Sequence, residues 1–241
     1  MRICNNGPQK WHSLVEITEP IIPKYIGYLP THTAGDSSSW RDIKTYANHV
    51  FVVREAANHG LQVFNLMQLL NVNMASMPVR FAETAHYNKF GNAHNIAING
   101  GLHIIDIKNP SNPVAANGFV KDDYTHNCQG VVYSGPDTRY TGKEICFNYN
   151  ADTLTILNVT SKSSILQLSR TGYNSSAYTH QVGSRMTVHD ERDKRGTVNT
   201  RSHVFNIENL TEPIYVGFHL GTTTARDHNL YVKGILVFEA K

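Results

Sequence analysis

One unit recurs along this chain: a short apolar run, interrupted before its last apolar position by a small polar residue, followed by a turn and a second run through glycine. Leu14-Val-Glu-Ile-Thr-Glu-Pro leads into Tyr25-Ile-Gly-Tyr. Leu61-Gln-Val-Phe-Asn-Leu is the next copy, and Leu102-His-Ile-Ile-Asp-Ile-Lys-Asn-Pro leads into Asn117-Gly-Phe. Leu154-Thr-Ile-Leu-Asn-Val leads into Arg170-Thr-Gly-Tyr, and His203-Val-Phe-Asn-Ile-Glu-Asn-Leu-Thr-Glu-Pro into Tyr215-Val-Gly-Phe. The interrupting residues are Glu16, Asn65, Asp106, Asn158 and Asn206. The runs end at Ile17, Leu66, Ile107, Val159 and Ile207, which stand 49, 41, 52 and 48 residues apart. A fixed period of this length is the signature of a repeat architecture, in which each unit buries its apolar face only against its neighbours.

A second element falls between the copies. It reads Trp40-Arg-Asp-Ile, Ala93-His-Asn-Ile-Ala-Ile-Asn, Thr125-His-Asn-Cys-Gln-Gly-Val-Val-Tyr, Thr179-His-Gln-Val and Asp227-His-Asn-Leu-Tyr-Val-Lys-Gly. A polar pair followed by alternating apolar residues is a strand signal, and Lys233-Gly234 is a tight-turn signal. Each unit of about 45 residues therefore holds three to four short strands, the content of a propeller blade. The expected fold is all-β and propeller-like, with about five repeats, incomplete or open. A β-sandwich is the competing all-β arrangement, but it does not require a fixed period. The only helical expectation is one or two turns at Asn65–Asn71, and Thr84–Asn92 reads as a loop insertion. Residues 1–13 read as an N-terminal segment and 14–241 as a single propeller domain cut short at its C-terminus, because the chain stops inside the strand-like run Ile235–Lys241 and an open apolar edge invites aggregation.

Composition narrows the class. The 241 residues are 40% hydrophobic and 17% charged, with a net charge of +3. That balance disfavours disorder and a nucleic-acid surface, and no apolar run approaches the roughly 20 residues of a membrane-spanning helix. The first residues carry no apolar signal-peptide core. Three sequons, at Asn158, Asn174 and Asn209, are candidate glycosylation sites. Of Cys4, Cys128 and Cys146, the last two flank the turn-rich stretch Ser134–Gly142. A hairpin centred at Arg139 sets Cys146 opposite Val132 and Cys128 opposite Asn150, out of register for a bridge, so the expectation is two buried thiols.

The strings Leu102-His-Ile-Ile-Asp-Ile…Pro113 and Val204-Phe-Asn-Ile…Pro213 resemble LVIVD repeats. Ser39-Trp-Arg-Asp-Ile-Lys, Phe90-Gly-Asn-Ala-His-Asn-Ile-Ala-Ile-Asn, Gly135-Pro-Asp-Thr-Arg-Tyr-Thr-Gly-Lys-Glu-Ile-Cys-Phe-Asn and Asp227-His-Asn-Leu-Tyr-Val-Lys-Gly resemble the choice-of-anchor B family of secreted or surface β-propellers, from about Leu14 to the end. The resemblance implies a secreted or cell-surface protein and no established catalytic activity. The sequence departs from the family in three places. Asn99-Gly100-Gly101-Leu102 joins two segments the family separates, removing a strand pair. The stretch after Gln181 is polar and non-alternating where the family has an apolar strand, as after a shift of reading frame. The family also continues past Phe238. Because Val182–Thr200 mixes four aliphatic or Met residues with seven charges, it is expected to be a solvated loop that leaves its blade one strand short.

Arg41, His94, His126, His180 and His228 occupy one slot in successive repeats. In a propeller that slot, at the entry to the inner strand, faces the axis. Converging imidazoles there suit an anionic ligand or a divalent metal, although nothing in the sequence requires a metal. The structural alternative is that each His-Asn pair bonds a neighbouring loop, and repetition in every unit favours it. No zinc spacing, nucleophile elbow, phosphate loop or calcium loop is present. The sequence thus points to a non-enzymatic secreted or surface propeller that binds a protein or small ligand. The rival is a hydrolase or lyase with a histidine-lined site on the axis.

Overall fold

The computed structural model describes residues 2–4, 10–33, 40–96, 103–119, 125–150, 152–174, 176, 179–183, 187–190, 199–224, 229–233 and 236–240. Strands make up most of these. The only helices among the described residues are 3₁₀ turns at Leu66–Asn71, Met74–Ser76 and Thr138–Tyr140. The chain divides into two compact units, Met1–Ile96 with Ile105–Ala115, and Ala97–Ile104 with Ala116–Lys241.

The first eight strands are β1 (Arg2–Cys4), β2 (Trp11–Glu16), β3 (Lys24–Pro30), β4 (Arg41–Tyr46), β5 (His49–Arg54), β6 (Leu61–Asn65), β7 (Val79–Arg80) and β8 (Ala85–Tyr87). They form two four-stranded sheets, in the orders β1-β2-β3-β7 and β4-β5-β6-β8. β1 draws residues of the N-terminal segment into the first sheet by antiparallel pairing with β2. β7 joins β3 in parallel, with Val79 opposite Gly27. A Cβ on Gly27 would lie 2.0 Å from the Val79 carbonyl oxygen, so only glycine admits this backbone approach. The remaining strands are β9 (His103–Asp106), β10 (Val114–Gly118), β11 (Thr125–Val132), β12 (Glu144–Asn150), β13 (Thr153–Asn158), β14 (Leu166–Gly172), β15 (Thr179–Gly183), β16 (Thr187–Asp190), β17 (Asn199–Asn206), β18 (Ile214–Thr224), β19 (Asn229–Lys233) and β20 (Leu236–Ala240). β11 to β14 and β15 to β18 are four-stranded meanders in chain order, and β9-β10 and β19-β20 are two-stranded. The several small antiparallel sheets match the all-β, open, propeller-like expectation. Among the described residues the β9-β10 sheet has two strands.

Each repeat unit maps onto strand geometry. The apolar runs are β2, β6, β9, β13 and β17, and the glycine runs are β3, β10, β14 and β18. The interrupting polar residue ends its strand by capping the turn. The Oδ1 atoms of Asn65, Asp106, Asn158 and Asn206 accept the backbone N–H two residues on, from Met67, Lys108, Thr160 and Glu208, at 2.8–3.1 Å. Glu16, one methylene longer, takes the Thr18 hydroxyl instead. A backbone turn follows in four repeats, with Ile22, Asn112, Ser164 and Glu212 donating to the carbonyl three residues back.

Central strands are buried on both faces. In β5 all six residues are buried: Val50 and Val52 pack with Leu14, Leu29 and Phe64, while Phe51 and Val53 pack with Leu61, Val63 and Tyr87. In the second unit, Ile145, Tyr149, Leu154 and Ile156 share a cluster with Phe205 and Leu210, and Cys146, Leu157 and Val159 pack on the opposite face with Ile104 and Phe119. This alternation is the period-2 rule applied to strands covered on both sides.

Three expectations fail here. Cys128 and Cys146 are joined in a disulfide, not held as two thiols. The turn is set by mutual bonds between Tyr133 and the Gly142–Lys143 segment, which places Gly130 opposite Cys146 and Cys128 opposite Asn148. The cysteines are then a diagonal pair on one face with a Cα–Cα distance of 6.5 Å, within bridging range. Val182–Thr200 does not leave its sheet a strand short. Thr187–Asp190 forms β16, paired with β15 on one side and with β17 on the other, Val188 standing opposite His203. The charges that argued against a strand are concentrated in residues 191–198, outside the described residues. Leu154–Asn158 and His203–Asn206 consequently lie in separate sheets, each with its own neighbours. Thr84–Asn92 is not wholly a loop, because Ala85–Tyr87 is β8, the fourth strand on β6.

Two outcomes follow for stability. Reduction of the disulfide, which closes a separation of 18 residues, should lower the unfolding free energy by about 3 kcal/mol, seen as a fall in the urea midpoint; an unchanged midpoint in reductant would mean that the bridge does not form. Gly27→Ala should destabilise the first unit by about 1–3 kcal/mol, because the colliding group is backbone and cannot rotate away; a melting temperature equal to that of the parent would place β7 elsewhere.

Candidate binding site

At one end of the two sheets of the first unit, the start of β2, the end of β3, the β5–β6 turn and β8 bring together His12, His32, His59 and His86 with Arg41 and Arg54. Antiparallel order dictates this meeting: β2, β4 and β6 begin at the end where β3 and β5 finish. The β5–β6 turn is shaped by two residues in the left-handed region, Asn58 (φ 61°) and Gly60 (φ 62°), with His59 between them. A Cβ on Gly60 would lie 2.3 Å from the Tyr87 carbonyl oxygen, so glycine is required on both counts.

The imidazoles form a connected set. His32 stacks on His86 with ring centroids 3.4 Å apart and planes 13° from parallel, and meets His59 edge-on at 6.2 Å. His32 Nδ1 lies 2.9 Å from Glu83 Oε1, and His86 Nε2 donates to the His59 carbonyl at 2.7 Å. His59 Nδ1 is 3.1 Å from the Thr33 hydroxyl. Arg54, 0% exposed, donates through Nη1 to the Thr33 carbonyl at 2.9 Å. Gln62 Nε2 donates to the Pro30 carbonyl. His12 is 1% exposed and neither of its ring nitrogens has a partner, and the buried His59 Nε2 also has none. His32 and His86 of this set line a cleft of about 500 Å³ together with Asn58, Asn88, Lys89, Phe90 and Gly91.

Burial, reinforced by Arg41, His59 and Arg54, lowers the His12 pKa to about 3. Burial, then His32, Arg54, His86 and Arg41, lowers that of His59 to about 4. Both rings are neutral at pH 7, each with one N–H donor and one lone pair. Burial, then Arg54, also lowers the Arg41 pKa. The rings of His32 and His86 stack with their planes 13° from parallel. Among the described residues, no three His, Cys, Asp or Glu side chains are grouped to hold a metal ion.

The slot residues read from the sequence fall in several places. Arg41 opens β4 and belongs to this cluster. His94 follows β8 and has its Nδ1 2.6 Å from Glu55 Oε1, beside Trp40, while the adjacent Ile96 N–H donates to Asp42 Oδ2. In this repeat the His-Asn segment thus ties down the loop after β5 and the start of β4. His126 is buried in β11 of the second unit. His180 lies in β15 with its side chain outside the described residues, and His228 lies outside them altogether. Of the sequons, Asn174 is exposed. Asn158 is half-buried, and the Asn209 amide is engaged by Arg139, Thr211 and Glu212.

His12, His32, His59 and His86 share no repeat position, so sequence reading passes them over as scattered. The signal that finds them is topological, because each lies at or near the same end of the sheets once the meander is drawn. The chain matches no family model and no curated protein.

Linkage gives the cluster a pH signature. A histidine with a lowered folded-state pKa contributes stability fully present above its unfolded value of 6.5, lost as pH falls toward about 4 for His59 and about 3 for His12. Between pH 6.5 and 5 each should remove on the order of 2 kcal/mol. Urea melts at the two pH values should show the loss, and His12→Leu should reduce it. A parent with the same midpoint at both would contradict the buried neutral rings.

Proposed function

We propose that this chain is a non-catalytic, propeller-like binding protein of the secreted or cell-surface space, and that it holds a small polar ligand, or a polar segment of a protein, in the cleft of its first unit. The observation that carries this reading is the way the cleft histidines are occupied. His32 is tied to Glu83, His86 to the His59 carbonyl and His59 to Thr33. Rings held in this way present a rigid surface for recognition. The rim residues Asn58, Asn88 and Lys89 add the few placed polar groups that orient a ligand.

The Cys128–Cys146 bridge supports the extracellular assignment, since disulfides persist in oxidising compartments, and exposed Asn174 is a suitable glycan acceptor there. The likeness to choice-of-anchor B and LVIVD-repeat sequences points the same way.

Thermal-shift measurements against sugars, amino acids, small carboxylates and phosphates test the reading. At least one class should raise the melting temperature of the parent, with the rise abolished in Asn88→Leu, an exposed substitution that spares the core. A ligand response identical in parent and variant, or catalytic turnover of a bound ligand, would overturn it.

A further inference from the structure

We propose that the cleft of the first unit takes a neutral, hydroxyl-rich ligand, a sugar or polyol ring; this rests on the binding reading of the same cleft and adds the chemical class. The first observation is the proton arrangement of the two imidazoles that line it, His32 and His86. His32 Nδ1 faces both oxygens of the Glu83 carboxylate, at 2.9 and 3.2 Å. His86 Nε2 faces the His59 carbonyl at 2.7 Å. An ionised carboxylate and a backbone carbonyl only accept, so each of these ring nitrogens carries a hydrogen. In the neutral imidazole the other nitrogen is then a lone pair. The histidines of the lining therefore present acceptors, at His32 Nε2 and His86 Nδ1, and the His32 side chain is 31% exposed.

The second observation is the rest of the lining. Asn58 and Asn88 are exposed carboxamides, each with a donor end and an acceptor end, and Lys89 is a donor only. They stand on one frame. The Gly60 N–H donates to the Gly91 carbonyl at 2.9 Å, which joins the β5–β6 turn carrying Asn58 to the chain after β8 carrying Asn88 and Lys89. A rim fixed before binding reduces the entropy lost on binding. Phe90, half-buried with its ring 6.0 Å from that of Tyr87, adds apolar surface to the lining. These groups select among ligands. An oxyanion only accepts, and would set its oxygens against the lone pairs of His32 and His86. An ammonium or guanidinium only donates, and would meet the charge of Lys89. A hydroxyl does both, so it pairs with an imidazole lone pair, with either end of Asn58 or Asn88, and with the Lys89 ammonium. Several hydroxyls on one ring, with its C–H face toward Phe90, match this mixture of acceptors and donors around a cleft of about 500 Å³.

Isothermal titration at pH 8, above the ordinary histidine range, with glucose, galactose, mannose, myo-inositol, sodium sulfate and sodium acetate tests the inference. Saturable binding of at least one of the neutral ligands is expected. His32→Phe keeps a planar ring beside His86 and removes the lone pair; it should weaken that ligand about tenfold or more, with its fold checked by a melting curve. Asn88→Leu, an exposed substitution away from the stacked rings, should weaken the same ligand. On the ligand side, fluorine, which cannot donate, is put in place of one hydroxyl at a time, and at least one position should lose about tenfold. No saturable binding of any neutral ligand, equal affinity in the parent and His32→Phe, or tolerance of fluorine at every position overturns the proposal. Binding of sulfate or acetate but of no neutral ligand, lost in Asn88→Leu, would sink the hydroxyl assignment while leaving the binding reading intact; a cleft that binds nothing here and shows no thermal shift with any class would sink both.

Discussion

The end of four of the five repeat strands is set by one side-chain hydrogen bond, from the backbone N–H two residues on to the carboxamide or carboxylate oxygen of Asn65, Asp106, Asn158 or Asn206. This short bond decides where a strand stops, and with it which residue of the next strand can pair. Because side chains alternate faces, a slip of one residue would exchange every core position for a solvent one. Four repeats continue into a backbone turn closed by a three-residue bond and return at once through a glycine strand, except that the second repeat runs instead into 3₁₀ turns. There the fourth strand is supplied about twenty residues later by Ala85–Tyr87, and the intervening chain places Val79–Arg80 on the neighbouring sheet.

That detour has a consequence for the cleft. With β8 brought in from a distance, His86 comes to lie against His32 from the end of β3, and the chain beyond it, Asn88 and Lys89, forms the rim. The irregular repeat is therefore the one that carries the polar cleft, while the meanders β11–β14 and β15–β18 keep the regular order. A break in periodicity at the place where polar groups gather is the pattern expected where local regularity gives way to recognition.

Burial controls the electrostatics of the cluster. In water, four histidines and two arginines would share their charge with solvent. Between two packed sheets, His12 and His59 are held neutral, by burial first and then by the neighbouring charged groups. The second unit handles buried charge differently. Asp137, 5% exposed, is held at a pKa of about 2, chiefly by its hydrogen bond from Arg139 and also by the backbone N–H of Leu210, linking the β11–β12 turn to the turn before β18. One buried group there is satisfied by an opposite charge within the fold, while the first unit leaves imidazole nitrogens open.

The period, the all-β class, the identity of the repeat strands and the turn at Leu66–Asn71 were all legible in the sequence, because each depends on contacts within about ten residues: apolar alternation, a capping side chain, a glycine or proline after the turn. The Cys128–Cys146 bridge was not, since it hinges on a hairpin register set by how Tyr133 meets Gly142 and Lys143, and a displacement of two positions in pairing separates a diagonal bridge from two unpaired thiols. Strand β16 was hidden because a four-residue strand held by backbone bonds on both sides needs almost no apolar side chains of its own, and the charges beside it obscured the little alternation it has. The histidine cluster was invisible for a further reason: His12, His32, His59 and His86 occupy different positions in their repeats and share only an end of the sheets. Local chemistry thus determined the strands and their ends, while register and the meeting of strand ends, which involve residues far apart in the chain, decided the disulfide and the histidine cluster.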